Sequence, residues 1–424
     1  IKSTCVYHAE GNNITRILSV DNSSFSLGRL WGRLTRYVFK LSAGYPRGHQ
    51  AGTVMAMAAL GDPDKYYEDV LRMIQKDFHL VSPSPLGAKR GVYVPPEEEV
   101  YHPYLNKYRV IAEQSDQEKY NLAAALQKVT EESIFELIDR LGQTNFKSRN
   151  ICFAGGVALN SVSLGKVVSK YKDKFDNFFV PPVPYDGGHT IGACQHYWHN
   201  VLGNPRVDHF ESPYLGETYS EADVRGALDN VKDEVSVVSD VSVDSCVDLL
   251  VDNKIVAVFQ GRSESGRRAL GNRSILASPI SDSMKDLINE KVKHRQSFRP
   301  FAPSVLEEQA SDWFDNCFPS PYMSFVFDFK KDKLGLAPAV EHVNKTARVQ
   351  TVNADQNKNY YDMISKFHSK TGVPILLNTS FNDREPICET PEHSVNCFLR
   401  TNIDYLYFPE YGLLVEKNES SDRD

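Results

Sequence analysis

Between Gly261 and Arg299 the chain reads GRSESGRRALGNRSILASPISDSMKDLINEKVKHRQSFR. Nine Lys and Arg lie there, Arg262, Arg267, Arg268, Arg273, Lys285, Lys291, Lys293, Arg295 and Arg299, against four acids, Glu264, Asp282, Asp286 and Glu290. The segment is therefore +5 in a chain of −7, and the remaining residues carry −12. A focused cationic segment in an acidic chain points to an anion site. Phosphate suits it, because Arg offers a planar fork and Lys a point charge. Glycines at 261, 266 and 271 would let backbone N–H groups approach phosphate oxygens closely. The spacing matches neither GxxxxGK[ST] nor GxGxxG. Lys285, Lys291 and Arg295 read instead as a solvated helix face with Glu290 beside them.

These residues need elements to hold them. Ile255-Val-Ala-Val-Phe259 reads as a buried strand running into the arginine-rich loop, the place where α/β proteins put ligands. Pro374-Ile-Leu-Leu377 reads as a second short buried strand, followed by a polar turn, Asn378-Thr-Ser-Phe-Asn382. Asp244–Asp252 looks helical. Upstream, apolar residues from Leu122 to Leu141 recur at helical spacing, and Gly142 closes that helix. Ile151–Ala154 then reads as a strand ending in the turn Gly155-Gly156, with a helix after it. Phe178–Val180 reads as another strand. The Pro-dense stretch from Ser82 to Pro103 reads as a loop or insertion, and residues 203–221 as the domain boundary. Strands alternating with helices predict an α/β protein.

Composition narrows the class. The chain has 424 residues, 41% hydrophobic and 24% charged, which predicts two or three ordinary globular domains. No apolar run reaches the ~20 residues of a bilayer span. Seven scattered Cys with no CxxC pair predict free thiols in a reducing compartment, so a cytoplasmic location is expected. The charge gives no reason to expect nucleic acid, and no basic stripe is interleaved with aromatics.

The same segments carry a resemblance. Gly261-Arg-Ser-Glu-Ser-Gly-Arg-Arg-Ala-Leu-Gly-Asn-Arg-Ser-Ile-Leu-Ala277 resembles the signature of the O-carbamoyltransferases that act on nodulation factors and antibiotics. Arg299-Pro-Phe-Ala-Pro-Ser304, Thr346-Ala-Arg-Val-Gln-Thr351 and Pro374–Asn382 follow in the family's order. Gly155-Gly-Val-Ala-Leu-Asn160 and Asp186-Gly-Gly-His-Thr-Ile-Gly-Ala193 resemble its first domain, and also the tRNA threonylcarbamoyl-transfer enzymes. Ser26-Leu-Gly28 and Ala51–Met55 add weaker matches.

The resemblance implies a partial actin/Hsp70/sugar-kinase-like (ASKHA) domain over 1–210 and a YrdC-like α/β domain over 211–424. The second domain would form carbamoyl-adenylate from carbamoyl phosphate and ATP, and the first would pass the carbamoyl group to a hydroxyl-bearing small-molecule acceptor. Clustered Arg and Lys suit that chemistry, because it gathers several phosphate charges in one cleft. The alternatives are an ASKHA-type phosphotransferase and a non-catalytic nucleotide-binding partner. A homodimer stays open, and no membrane contact is expected.

By the same resemblance Arg268, Lys293 and Arg299 are the catalytic phosphate-binding cations. Arg348, Asn378, Ser380 and His342 are expected to bind substrate. The bland readings are buried ion pairs for Arg268 and Arg348, turn capping for Asn378 and Ser380, and a surface imidazole for His342. Gly155, Gly156 and Asn160 are expected to border the nucleotide, against a plain strand–helix turn. Asp186 is expected to face a divalent metal of Mg or Fe type, against an Asx turn. His196 and His199 are expected to pack or face solvent. Thr53 stands where the family has Lys, and Arg267 where it has Pro. The family's metal-binding histidines and the general base are not found, and are expected to lie before Ile1 or elsewhere.

Overall fold

The computed structural model describes residues 2–21, 26–43, 48–75, 103–141, 148–206 and 212–418. Ser82–Tyr101 and Gly142 lie outside them. The chain divides into two compact units. One holds Ile1–Arg149, Gly155–Ser163 and Gly188–Asp208; the other holds Asn150–Ala154, Leu164–Gly187 and His209–Asp424.

In the first unit an antiparallel hairpin pairs Lys2–Glu10 with Asn13–Asp21. Helices follow it, the longest being Asp116–Leu141. Its buried face carries Leu122, Ala123, Leu126, Val129, Ile134 and Ile138, the stripe expected from the spacing. Gly155 takes φ +99° after the Asn150–Cys152 strand, a conformation that costs glycine little. A short 3₁₀ turn, Gly156–Leu159, leads into the Ser161–Tyr171 helix.

The second unit is built on a nine-stranded mixed sheet. In spatial order its strands are Phe325–Asp328, Thr346–Val352, Ala302–Leu306, Ile375–Ser380, Arg273–Ala277, Val256–Phe259, Tyr405–Phe408, Leu413–Lys417 and Val235–Val238. Ala302–Leu306 runs parallel to Thr346–Val352, and Val256–Phe259 parallel to Tyr405–Phe408; the other neighbours are antiparallel. The central strands are buried along their whole length, polar Arg273, Ser274 and Ser304 included. Each large apolar side chain buried this way contributes about 1.5–3 kcal/mol.

Helix ends are set locally. Asn357 caps the Lys358–Thr371 helix through Tyr360 N (3.2 Å), and Gly372 closes it at φ +75°. Thr390 and His393 form a capping box at the head of Pro391–Arg400.

Residues 150–154 and 164–187 join this unit by packing. Phe178 stacks on Phe318, which in turn meets Phe325 and Phe327 edge-on. A Cβ on Gly165 would lie 2.1 Å from Val326 O, so only glycine lets that helix approach the sheet edge so closely.

One expected element is corrected. Asn378–Ser380 is not a turn. The strand runs to Ser380, with Asn378 opposite both Ala302 and Leu276. A polar residue is tolerated inside this sheet because its amide is bonded there, as described next.

A buried cation cluster as candidate active site

The arginine loop leaves the Val256–Phe259 strand and returns through Arg273–Ala277. Its glycines do not present a phosphate nest. The carboxylate of Glu264 fills that place: Oε1 accepts N–H bonds from Leu270 (2.7 Å), Asn272 (2.9 Å) and Arg273 (3.3 Å). Gly271 N–H is bonded to Ser274 Oγ, and Gly261 N–H to Glu410 Oε2. The glycines serve close approach instead. A Cβ on Gly271 would meet the Tyr360 ring at 2.3 Å, and one on Gly266 would meet Pro182 O at 2.4 Å. Arg273 is fully buried and bonds the carbonyls of Gln260, Gly261 and Asn272 over the Phe259 ring, so it is a structural arginine.

What remains for an anion is side chains. Burial lowers the pKa of Arg268, Lys293, Arg295, Arg299 and Arg348, and repulsion from neighbouring cations lowers all but Arg299 further. Burial first, then Arg295, brings Lys293 down to about 7. Burial, then Arg299, brings Arg295 to about 9. Burial, then Arg267 and Arg299, brings Arg268 to about 10. Arg348 is lowered well below its ordinary range, by burial and then by Arg268, Arg295 and Arg299. Among the described residues, none of Lys293, Arg295, Arg299 and Arg348 forms an ion pair with a carboxylate. Arg348 Nε is buried without a hydrogen-bond partner. Concentrated, uncompensated positive charge is unfavourable unless an anion enters.

The cations are also fixed. Lys293 Nζ donates to Ser380 O, Asn382 O (2.6 Å) and Asn382 Oδ1 (3.0 Å). Arg295 Nε donates to Asn289 Oδ1 (2.7 Å), and its guanidinium lies 4.8 Å over Phe301. Arg267 lies exposed over the Tyr185 ring at 4.5 Å.

Asn378 works from below. Its amide N donates to Ala269 O (3.2 Å), Ser304 Oγ (3.1 Å) and Gln350 Oε1 (3.0 Å), so it holds the backbone next to Arg268. Ser380 Oγ donates to Asn382 Oδ1 (2.6 Å). His342 is half-buried, and burial followed by Arg348 drives its pKa down to about 3. Thr346 Oγ1 donates to Asn344 Oδ1 (2.8 Å), so it accepts from His342 Nδ1–H (3.0 Å). The imidazole is thereby neutral, with Nε2 left as an acceptor.

The structure thus brings Arg268, Lys293, Arg299, Arg348 and His342 into one electrostatic neighbourhood, with Asn378 and Ser380 holding its loops. Gly155, Gly156 and Asn160 belong to the other compact unit. Gly155 and Gly156 are exposed, and Asn160 is buried. The Asn160 amide pairs with Gln127 (2.8 Å) and accepts from Ser163 N (3.1 Å). Asp186 is exposed in a 3₁₀ turn. Among the described residues no three His, Cys, Asp or Glu gather as metal ligands, and one exposed carboxylate does not fit a divalent centre. His196 is exposed, and His199 Nδ1 lies 3.3 Å from Asn204 O. The cysteines are free, and among the described residues no helix is long and apolar enough to cross a membrane.

Arg295 and Asn382 were missed by sequence reasoning. Arg295 was read as a solvated helix face, but the helix ends at Lys291. His294 then adopts φ +45°, which turns Arg295 off the helical course. A helix-breaking conformation at a non-glycine residue leaves no sequence signal.

Fold and site together define a mixed α/β protein with a cluster of partly buried cations. Comparison with known families is specific. A carbamoyltransferase N-terminus model matches residues 1–195, and a carbamoyltransferase C-terminus model matches residues 247–416. The chain belongs to the carbamoyltransferase family. An uncharacterized protein of Synechocystis is 32% identical over 97% of this chain and 70% of its own length. Nodulation protein NolO of Bradyrhizobium diazoefficiens is 35% identical over 88% of this chain and 66% of its own length. Nodulation protein U of Rhizobium fredii is 36% identical over 55% of this chain and 38% of its own length. The chain thus spans from about four tenths to seven tenths of these relatives. A solved structure of full-length HypF, phosphate- and nucleotide-bound, is similar at TM-score 0.28 and 16% identity over 43% of this chain and 22% of that one, too distant to define the fold.

Proposed function

We propose that this chain is an ATP-dependent O-carbamoyltransferase whose second unit, YrdC-like, forms carbamoyl-adenylate from carbamoyl phosphate and ATP. The observation that carries the reading is the cluster of Lys293, Arg295, Arg299 and Arg348, none of which pairs with a carboxylate among the described residues, with Arg268 beside them. Family membership supports it. The atoms balance with one water: orthophosphate leaves carbamoyl phosphate, the carbamate oxygen bonds the α-phosphorus of ATP, and pyrophosphate leaves. The ASKHA-type first unit then offers the carbamoyl carbon to an acceptor hydroxyl. The new C–O bond forms, AMP leaves, and the hydroxyl proton goes to solvent or a base. Fixed cations stabilise phosphate charge as it shifts, at little reorganisation cost. No step here runs through a metal.

The test is pyrophosphate release from ATP, with and without carbamoyl phosphate. Release that needs both substrates, and that is lost in Arg268→Ala, is the expected result. Release without carbamoyl phosphate, or unchanged release in Arg268→Ala, would overturn it.

A further inference from the structure

The arginine loop is held from two directions, and only one of them is the sheet. Below it, Asn378 binds Ala269 O, and Gln350 Nε2 donates to Leu270 O (2.9 Å). Gln350 and Arg348 share one strand, so this hold belongs to the anion site itself. The other hold comes from Pro213–Gly216. Tyr214 bridges Glu264 in antiparallel fashion, Ser265 N–H donates to Pro213 O (2.8 Å), and Gly216 N–H donates to Ser263 O (3.1 Å). Arg262 Nε returns a bond to Gly216 O (2.6 Å). The Tyr214 hydroxyl reaches across the loop and donates to Leu270 O (2.9 Å), the same carbonyl that Gln350 binds. Asn357 Nδ2 donates to that hydroxyl (3.1 Å) and to Asn272 Oδ1 (2.8 Å). The Tyr214 ring packs beside Leu270, Ala302, Tyr322 and Met323.

The bonds to Glu264 do not fix the loop alone. They close it on itself, since the carboxylate and its N–H donors all belong to residues 264–273. Its position relative to the strand bearing Arg348 depends on what crosses out of the loop. Leu270 O is a crossing point with two donors, Gln350 and Tyr214, two residues after Arg268 and next to the Ala269 carbonyl that Asn378 binds.

We infer that the Pro213–Gly216 segment is a clamp on the arginine loop and that Tyr214 is a positioning residue for Arg268. The inference rests on reading Arg268 as a phosphate ligand. Tyr214 touches no substrate; its hydroxyl sets the distance between Arg268 and Arg348.

The test compares the whole chain with Tyr214→Phe, which removes one hydroxyl and keeps the ring. Gly216→Ala is the second variant. Its Cβ would fall 1.9 Å from Ser263 Oγ and 3.0 Å from Ser263 N, so it lifts the segment by another route. Two readouts are taken. Hydrogen exchange of the amides of residues 266–273 should quicken roughly three- to tenfold in both variants, the usual worth of one neutral hydrogen bond. Amides of residues 375–377, in the Ile375–Ser380 strand, should keep their protection. Calorimetric titration with inorganic phosphate should show affinity weakened roughly three- to tenfold, with stoichiometry still near one. A merely structural role would lower stoichiometry and leave the affinity of the folded fraction unchanged. Unchanged loop exchange overturns the clamp. Faster exchange with unchanged phosphate affinity overturns the role toward Arg268. Wild-type protein that binds no phosphate overturns the anion-site reading instead, and loop exchange then decides the clamp by itself.

Discussion

Lys293 offers the sharpest physical consequence. Burial among arginines lowers its pKa from 10.5 to about 7. At ~1.4 kcal/mol per pH unit this represents about 5 kcal/mol of penalty on the charged form. The folded pKa lies below the unfolded one, so the unfolded chain binds more protons between pH 7 and 10.5. Stability therefore rises with pH across that window. A phosphate dianion reverses the balance, because its charge sits beside the ammonium and restores the proton. At pH 8 a lysine of pKa about 7 is ~10% protonated when empty, so binding should take up about 0.9 proton. Arg295, at about 9, is still ~90% protonated at pH 8, so its own share of the uptake is small. The assay is calorimetric titration of inorganic phosphate at pH 8 in two buffers of different ionisation enthalpy. The expected result is near-stoichiometric uptake in the wild type and none in Lys293→Met. Binding without uptake, or uptake that survives in Lys293→Met, would refute the assignment of the lysine.

Other consequences follow from the same geometry. Arg348→Met should make the unliganded protein more stable, by about 1 kcal/mol or more in urea unfolding, while phosphate binding weakens at least about tenfold. Gly271→Ala meets the Tyr360 ring at φ +118° and should cost about 2 kcal/mol or more in the same assay. His342, held down to about 3, should show no imidazole titration between pH 5 and 8 by NMR. Its contribution to stability is complete above pH 6.5 and is lost as pH falls from there toward 3.

Much of the second unit is legible in the sequence because its signals are local. The Val256–Phe259 strand and the helix after Ser242 show in short apolar patterns. Arg268, Lys293, Arg299 and Arg348 stand in strings distinctive enough to single them out. What escapes is set by distant partners. Asn378 reads as a turn residue until Ala269, Ser304 and Gln350 supply the bonds that let an amide lie inside a sheet. The glycines read as a phosphate nest until Glu264 is seen to occupy it. Arg295 escapes through a single backbone angle at His294.

A crystal structure with carbamoyl phosphate and a non-hydrolysable ATP analogue tests the proposed phosphate-binding role of the cation cluster most directly. That role predicts phosphate oxygens about 2.7–3.2 Å from side-chain nitrogens of at least three of Arg268, Lys293, Arg299 and Arg348. Ligand bound elsewhere, with those four side chains still facing one another unoccupied, would contradict it.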